Sequence, residues 1–448
     1  MLCVVIRGPS FEEAHNQVAQ AAACASLIEL RLDCFERVDM AALRRLRTAC
    51  PLPMIFSHPS IEQLSACLDM GPEYIDLAYQ LSTPTPPGTK RIASYHDYTG
   101  MPEDLDRLYC EMQAACPHAA LYKVAVTAAS PLDAVRLLRW AASSDGRLIA
   151  VSMGPHGQLS RILGPIVGTS ITYASLDDNA PFGQLPAHLL IERYHHHRLS
   201  RTSGVYGLIG DPVDRSIGPI VHNAFIISCG LDAVYVPIRV QAKEVGAFLR
   251  LARTLPFRGL SVTMPLKEAV LDHIDEIDSE ARAIGAVNTL VFRDGRIFGY
   301  NTDGRGTLDA IERVMSVRDK RVVIVGAGGA AKAIAYEVKK RGGTLAIINR
   351  DAEKACELAR RLSCCGGGLE EMANAHASGY DILINCTPLA MPVAPEHIPP
   401  GAIVMDINMA SEESVWLRCA VERGCRVIPG REMFEEQARG QRKLWFGR

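Results

Sequence analysis

Eight short β-rich runs alternating with helical patterns over the first 200 residues, a polar break near residues 196–204 and a strand, glycine turn and helix after residue 320 predict an α/β protein. The first part reads as a (β/α)8 barrel trimmed of one helix, and the second as a two-lobed unit with a nucleotide-binding βαβ lobe. With 448 residues, 48% of them hydrophobic, the chain is too long for one ordinary core and can fill two or three. Its 48 basic and 50 acidic residues nearly cancel without a long run of either sign, so no nucleic-acid partner is expected. Acidic residues come early in MLCVVIRGPSFEEAH, and no uncharged apolar run reaches about 18 residues. Neither a leader nor a membrane partner is therefore expected, and a cytoplasmic location is. Fourteen cysteines scattered without CxxC spacing are expected to be reduced, mostly buried thiols.

In chain order the strand-like runs are LCVVIR, SLIELRLD, LPMIFSH, EYIDLAY, KRIASYHDY, LYKVAVTA, RLIAVSM and GTSITYASL. Between them FEEAHNQVAQAAACA, MAALRRLRTAC, SIEQLSACLDM, PEDLDRLYCEMQAAC and PLDAVRLLRWAA place apolar residues at helical spacing, and PAHLLIERYHHHRL closes the series. Between the fourth and fifth runs stands only QLSTPTPPGT, where Pro and Gly rule out a full helix. The barrel is expected over residues 1–200, with HHRLSRTSG as linker. A substrate lobe over 204–306, completed by C-terminal helices at 431–448, and a Rossmann-like lobe over 307–430 are expected to follow. His195, His196 and His197 are consecutive, so they splay rather than converge, and no metal is expected there.

Lys123 stands in the middle of the apolar run ALYKVAVTA. A buried ammonium is costly, so such a lysine is expected to reach water or to lose its proton. Deprotonated, it is a nucleophile toward a ketone, and the imine makes a neighbouring carbon acidic. His96 in SYHDY suits the proton transfers that follow, and Glu29, two residues from Arg31 in IELRLD, can orient it. The alternative is a lysine snorkelling to the barrel mouth beside a structural Glu29–Arg31 pair.

In the second half, VTMPLK sets Lys267 after a short strand and a proline turn, and GYNTDG surrounds Asp303 with turn residues. A lysine and an aspartate facing one cleft can pass a proton to or from a hydroxyl while a hydride leaves its carbon. A plain surface ion pair is the alternative. After VVIV, the turn Gly326, Ala327, Gly328, Gly329, Ala330, with small Ala331 third in the fingerprint, lets backbone N–H groups face a phosphate. The next strand ends in Asn349 and Arg350, with Lys354 following, where an acidic residue would favour a cofactor lacking the 2′-phosphate. A guanidinium favours NADP(H), against the pull of Asp351.

ELRLD, the SYHDY histidine, the strand lysine, SRILG and GQL occur in the order seen in type I 3-dehydroquinate dehydratases, which the first 195 residues resemble. The resemblance implies a Schiff base between Lys123 and 3-dehydroquinate, with His96 as acid/base, Glu29 orienting it, and Arg31, Arg161 and Gln184 on the substrate. Two stretches depart: after the third strand FSHPS offers Ser57, His58 and Pro59 where the family usually has an arginine, and NAPFGQL lacks the serine expected before Gln184. From about residue 205 onward VTMPLK, GAVNTL, GYNTDG, GAGGAA, INRD, INCTPLAM and MFEEQA resemble shikimate dehydrogenase. That implies catalysis by Lys267 and Asp303, substrate contacts from Ser216, Thr263, Asn288 and Gln437, and Thr387 and Pro388 beside the cofactor. Here Gly218 and Met409 replace a serine and a tyrosine of the family. Together the two resemblances imply conversion of 3-dehydroquinate to 3-dehydroshikimate and then, with NADPH, to shikimate. A lysine aldolase, a quinate-preferring dehydrogenase, or a barrel kept only as a scaffold are the rival readings.

Overall fold

The computed structural model describes residues 1–81, 84–178, 183–409 and 414–447. The chain divides into two compact units: Met1–Gly207 with Ile217–Val240 and Ala247–Phe257, and Leu208–Ser216 with Gln241–Gly246 and Arg258–Arg448.

In the first unit, strands β1 (Leu2–Ile6), β2 (Leu27–Arg31), β3 (Met54–Ser57), β4 (Tyr74–Ala78), β5 (Lys90–Asp97), β6 (Leu121–Thr127), β7 (Leu148–Met153) and β8 (Thr172–Ala174) form one sheet. Its order, β7-β6-β5-β4-β3-β2-β1-β8, is that of a near-closed eight-strand barrel, and neighbouring strands run parallel, as where Ser94 pairs with Lys123. Alternation along each strand sends one set of side chains inward. Cys3, Val5, Leu27, Ile55, Ile92, Ala125, Ile149 and Tyr173 make that inner core.

The covering helices follow from local signals. Helix Pro131–Ala142 starts with Pro at its first position and a reciprocal capping box, the Ser130 side chain accepting from Asp133 N and Asp133 accepting from Ser130 N. It buries Leu137 and Leu138 on its inner face. Each such leucine contributes roughly 1.5–3 kcal/mol, and Ser130→Ala would remove about 1 kcal/mol of capping. Helix Gln158–Val167, with Pro165 inside it, was not among the expected helices. Gly168 at φ +81° ends it, its N–H donating to Gly164 O and Pro165 O. Between β4 and β5 the described residues contain no helix, in keeping with the trimmed barrel.

In the second unit, β11 (Phe257–Val262), β13 (Thr289–Arg293) and β14 (Arg296–Tyr300) pair antiparallel, and β12 (Glu276–Ile277) adds parallel to β14. The strands β9 (Gly204–Gly210) and β10 (Ala233–Arg239) precede them in the chain. The last sheet comprises β15 (Arg321–Val325), β16 (Thr344–Ile348), β17 (Cys365–Gly367), β18 (Ile382–Asn385), β19 (Ile403–Asp406) and β20 (Arg426–Pro429). Its order, β17-β16-β15-β18-β19-β20, reverses direction between β15 and β18, and in doubly wound sheets ligands bind outside the carboxyl ends at that point. The final helix, Gly430–Phe446, returns to β13, where Gln441 donates to Asn288 O and Thr289 Oγ1 and Trp445 Nε1 donates to Leu290 O.

Among the described residues no helix is long and apolar enough to cross a membrane. All fourteen cysteines are free, but only five are buried, with seven partly so and two exposed, fewer than the apolar surroundings in sequence suggested.

Candidate active sites

Lys123 sits inside the barrel, 7% exposed, and takes neither expected escape. Its Nζ donates to Asp76 Oδ2 at 2.8 Å, lies 4.0 Å from Glu29 Oε1, and stands 4.3 Å over the ring of Tyr173. Burial pushes the lysine down, but the Asp76 and Glu29 carboxylates outweigh it and hold Lys123 above its ordinary value. The expectation of a lysine deprotonated by burial is therefore corrected: two buried carboxylates keep the resting residue an ammonium. Asp76 mirrors it, pushed up by burial but held below the usual carboxylate range by Lys123, by His96 and by hydrogen bonds from Lys123 and Ser94.

Register explains the convergence. Glu29, Asp76, Ser94 and Lys123 lie on β2, β4, β5 and β6, and parallel pairing aligns Ser57 with Asp76 and Ser94 with Lys123, so their side chains share the inner face. His96 continues the phase of Ser94 on β5 and stacks against Tyr98, ring centroids 6.1 Å apart. His96 reaches the surface, yet water withdrawn from around its ring, and then the Lys123 ammonium, hold it below its ordinary value. Among the described residues no hydrogen bond joins Glu29 to His96. The carboxylate whose charge acts on both His96 and Lys123 is Asp76, which the sequence reading passed over.

Arg31 binds Asp33 through two parallel bonds of 2.8 and 2.7 Å rather than Glu29. Arg161 is buried and donates through one nitrogen to Ser152 O and Gly157 O. Gln184 accepts from Arg7 NH2 at 3.3 Å, a partner not foreseen from sequence. The Ser57 hydroxyl is buried and takes no hydrogen bond among the described residues. Residues 179–182, the first four of NAPFGQL, lie outside the described residues. In the His195–His197 run, a short 3-10 turn over His196–Arg198 puts His196 inside, within 3.0 Å of Thr172 Oγ1, while the rings of His195 and His197 stand 6.3 Å apart.

In the second unit the predicted pair meets: Lys267 Nζ donates to Asp303 Oδ2 at 2.5 Å. Asn288 Nδ2 donates to Asp303 Oδ1 at 2.7 Å and to Gln437 Oε1 at 3.3 Å, so four of the expected side chains form one cluster. Asp303, at the start of helix Asp303–Glu312, is 3% exposed and Asn288 2%. Thr263 N donates to Ile209 O and Ser216 N to Val213 O, which fixes the loops carrying those two residues.

The glycine turn follows β15 at the reversal of the sheet. Gly326 has φ +122°, and a β-carbon there would stand 3.2 Å from Cys386, while one on Gly329 would stand 3.1 Å from Lys267 Cβ. The close packing places the turn directly against the Lys267–Asp303 cluster, and burial pushes the Cys386 thiol up there. A cavity of about 600 Å³ opens beside the turn, walled by Gly328, Asn349, Arg350, Lys354 and two cations that sequence did not single out, Lys332 and Arg361. Asp351 spends its carboxylate on helix Ala352–Leu362, accepting from Lys354 N. The turn, the cavity and its cations fit a phosphorylated dinucleotide. Thr387, after β18, donates through N and Oγ1 to Asn385 Oδ1, and exposed Pro388 follows it.

Residues 2–200 match the type I 3-dehydroquinase family, 208–290 the shikimate dehydrogenase substrate-binding domain, and 309–398 the shikimate/quinate 5-dehydrogenase family. A shikimate biosynthesis protein AroDE of Chlamydia pneumoniae is 38% identical across all of this chain and 95% of its own length. A bifunctional 3-dehydroquinate dehydratase/shikimate dehydrogenase, chloroplastic, of Arabidopsis thaliana is 32% identical across all of this chain and 82% of its own. The shikimate 5-dehydrogenase of Thermus thermophilus, solved in complex with NADP(H) and shikimate, superposes with TM-score 0.51 and 30% identity over 55% of this chain and 94% of that one. The chain belongs to the family of bifunctional proteins that join a type I 3-dehydroquinate dehydratase to an NADP-dependent shikimate dehydrogenase.

Proposed function

We propose that the two steps on this chain run through separate residue sets: Lys123 and His96 dehydrate 3-dehydroquinate, and Lys267 with Asp303 serves the reduction of 3-dehydroshikimate to shikimate. The observation that carries the first is a buried lysine within 2.8 Å of a carboxylate inside a barrel. To attack the ketone, Lys123 must first give up a proton, and Asp76 is the nearest acceptor. The nitrogen then adds to the carbonyl carbon and water leaves from it, giving an iminium that acidifies the adjacent C–H. Loss of that proton and departure of the hydroxyl on the next carbon, as water, create the double bond, and a water molecule then adds to the iminium carbon and releases the product ketone and the Lys123 amine. His96, held neutral, serves as acid/base for that loss of water. Glu29 keeps a second negative charge beside the nitrogen, which supports its cationic iminium form.

In the second unit, NADP(H) bound in the crevice supplies the hydride. Lys267 and Asp303 pass the proton that the carbonyl oxygen takes up as it becomes a hydroxyl; Asn288 holds Asp303 by a hydrogen bond and is bonded in turn to Gln437, and the two amides serve the ring hydroxyls. Arg350 and Lys354, which line the cavity beside the glycine turn, would hold the 2′-phosphate. Fourteen free cysteines suit a reducing, cytosolic setting. Borohydride reduction in the presence of 3-dehydroquinate, followed by peptide mass analysis, should leave the added mass on Lys123; mass on another lysine, or none, overturns the assignment.

A further inference from the structure

A substrate carboxylate drawn into a barrel needs a cation at the mouth, and the cations near the carboxyl ends of the strands are unequally committed. Lys123 faces Asp76. Arg31 is clamped on Asp33. Arg161 is buried and spends one nitrogen on two backbone carbonyls. The end of β3 offers no lysine or arginine: Ser57 stands there, followed by His58, whose charge acts on Asp33.

Arg7 differs from all of these. It directly follows β1 and continues the alternation of Cys3 and Val5, both of which face the inner core. It is half-buried, and its NH2 donates to Gln184 Oε1, an uncharged amide. Among the described residues no carboxylate pairs with Arg7. Its charge and that of Arg31 both act on Cys34, which places the two guanidiniums in one neighbourhood at the barrel mouth. A planar, charged fork with a neutral partner matches a carboxylate bidentately.

We propose that Arg7, with Gln184 beside it, binds the carboxylate of 3-dehydroquinate, supplying from the first strand the charge that Ser57 leaves missing on the third. The inference rests on the barrel being the dehydratase site with Lys123 as nucleophile. Its test uses borohydride trapping on Lys123 and reads the half-saturating concentration of 3-dehydroquinate and of its carboxamide analogue, which lacks the negative charge. In the unaltered chain the acid should bind better than the amide. Arg7→Ala should raise the half-saturating concentration of the acid about 10- to 100-fold, leave the amide within about threefold, and leave the trapping rate at saturation near its original value. Arg7→Lys, which keeps the charge but loses the fork, should retain part of the preference for the acid. If Arg7→Ala weakens acid and amide alike, or changes neither, Arg7 is not the carboxylate partner. Absence of trapping in the unaltered chain would instead refute the Lys123 assignment, so the two failures are distinct.

Discussion

Replacing Asp76 by Asn removes the charge that holds Lys123 as an ammonium while preserving shape. The two atoms are 2.8 Å apart and both side chains are buried, Lys123 at 7% and Asp76 at 6% exposure. Deleting one partner of a buried pair typically destabilises by about 3–5 kcal/mol. Glu29, 4.0 Å away, keeps part of the compensation, and the Asn carbonyl still accepts a bond, so the low end, about 3 kcal/mol, applies. For a barrel of this size that corresponds to a fall of about 6–12 °C in melting temperature. The sign also fixes a pH pattern. Asp76 is held below its ordinary 3.8, so its contribution is complete above that pH and is lost as pH falls through the folded value. Lys123 is held above its ordinary 10.5, so its contribution is complete below that pH and is lost as pH rises through the folded value. The gap between the unaltered chain and the Asp76→Asn variant should thus be widest near neutrality and should narrow in acid. Thermal unfolding at pH 7, with barrel peptides followed by hydrogen exchange, measures the first quantity. An amine-selective label on Lys123 measures the second, and its pH midpoint should move down in Asp76→Asn. A melting shift under about 2 °C together with an unmoved midpoint would refute the electrostatic account of this lysine.

Asp303→Asn should lower kcat for 3-dehydroshikimate reduction by about 10²–10⁴-fold with a far smaller change in KM; a purely structural pair would show its effect in stability instead. Arg350→Ala should weaken NADPH binding by about 10- to 100-fold and leave NADH within about threefold, as read by titration of the bound cofactor; equal losses for both cofactors would count against a 2′-phosphate role. His196, buried against Thr172, is pushed down to about 4 from 6.5 by burial, then by the charges of the N-terminus and His197. Between those pH values the unfolded chain binds a proton that the folded ring refuses, so stability should be lost as pH falls, by about 3 kcal/mol in the limit. Urea unfolding at pH 7 and 4.5 should show a shallower pH slope in His196→Gln than in the unaltered chain, and identical slopes would remove His196 as the cause.

Strand alternation made most of the barrel legible, because an apolar run interrupted by one charged residue marks both a strand and what it buries. The same signal was available for Asp76 in EYIDLAY, and reading it beside Lys123 would have shown a third way for a buried lysine to exist: paired with a buried carboxylate. Helix Gln158–Val167 was passed over although Leu159, Ile162, Leu163, Ile166 and Val167 fall at helical spacing, and Pro165 inside it removes one backbone bond. Arg7 closes the run LCVVIR and was passed over, because a charged residue at the end of an apolar run reads as the strand's exit to solvent rather than as a side chain of the barrel mouth. The dehydrogenase cluster was legible through short motifs, since turns such as GYNTDG tie residue type to backbone shape. What sequence could not supply was the partner of each charge: Arg31 could equally face Glu29 or Asp33, and only register and side-chain packing select Asp33. Lys332 and Arg361 line the cavity beside the glycine turn from helix positions whose sequence surroundings look like any solvated face.

The central claim, two chemistries on one chain through two independent residue sets, is tested most directly by following NADPH absorbance with the unaltered chain and with Lys123→Ala. Each is supplied with 3-dehydroquinate in one cuvette and 3-dehydroshikimate in another. The account predicts NADPH oxidation from both substrates by the unaltered chain, and from 3-dehydroshikimate alone by Lys123→Ala at an unchanged rate. Oxidation from 3-dehydroquinate that survives the loss of Lys123, or its absence in the unaltered chain, would contradict it.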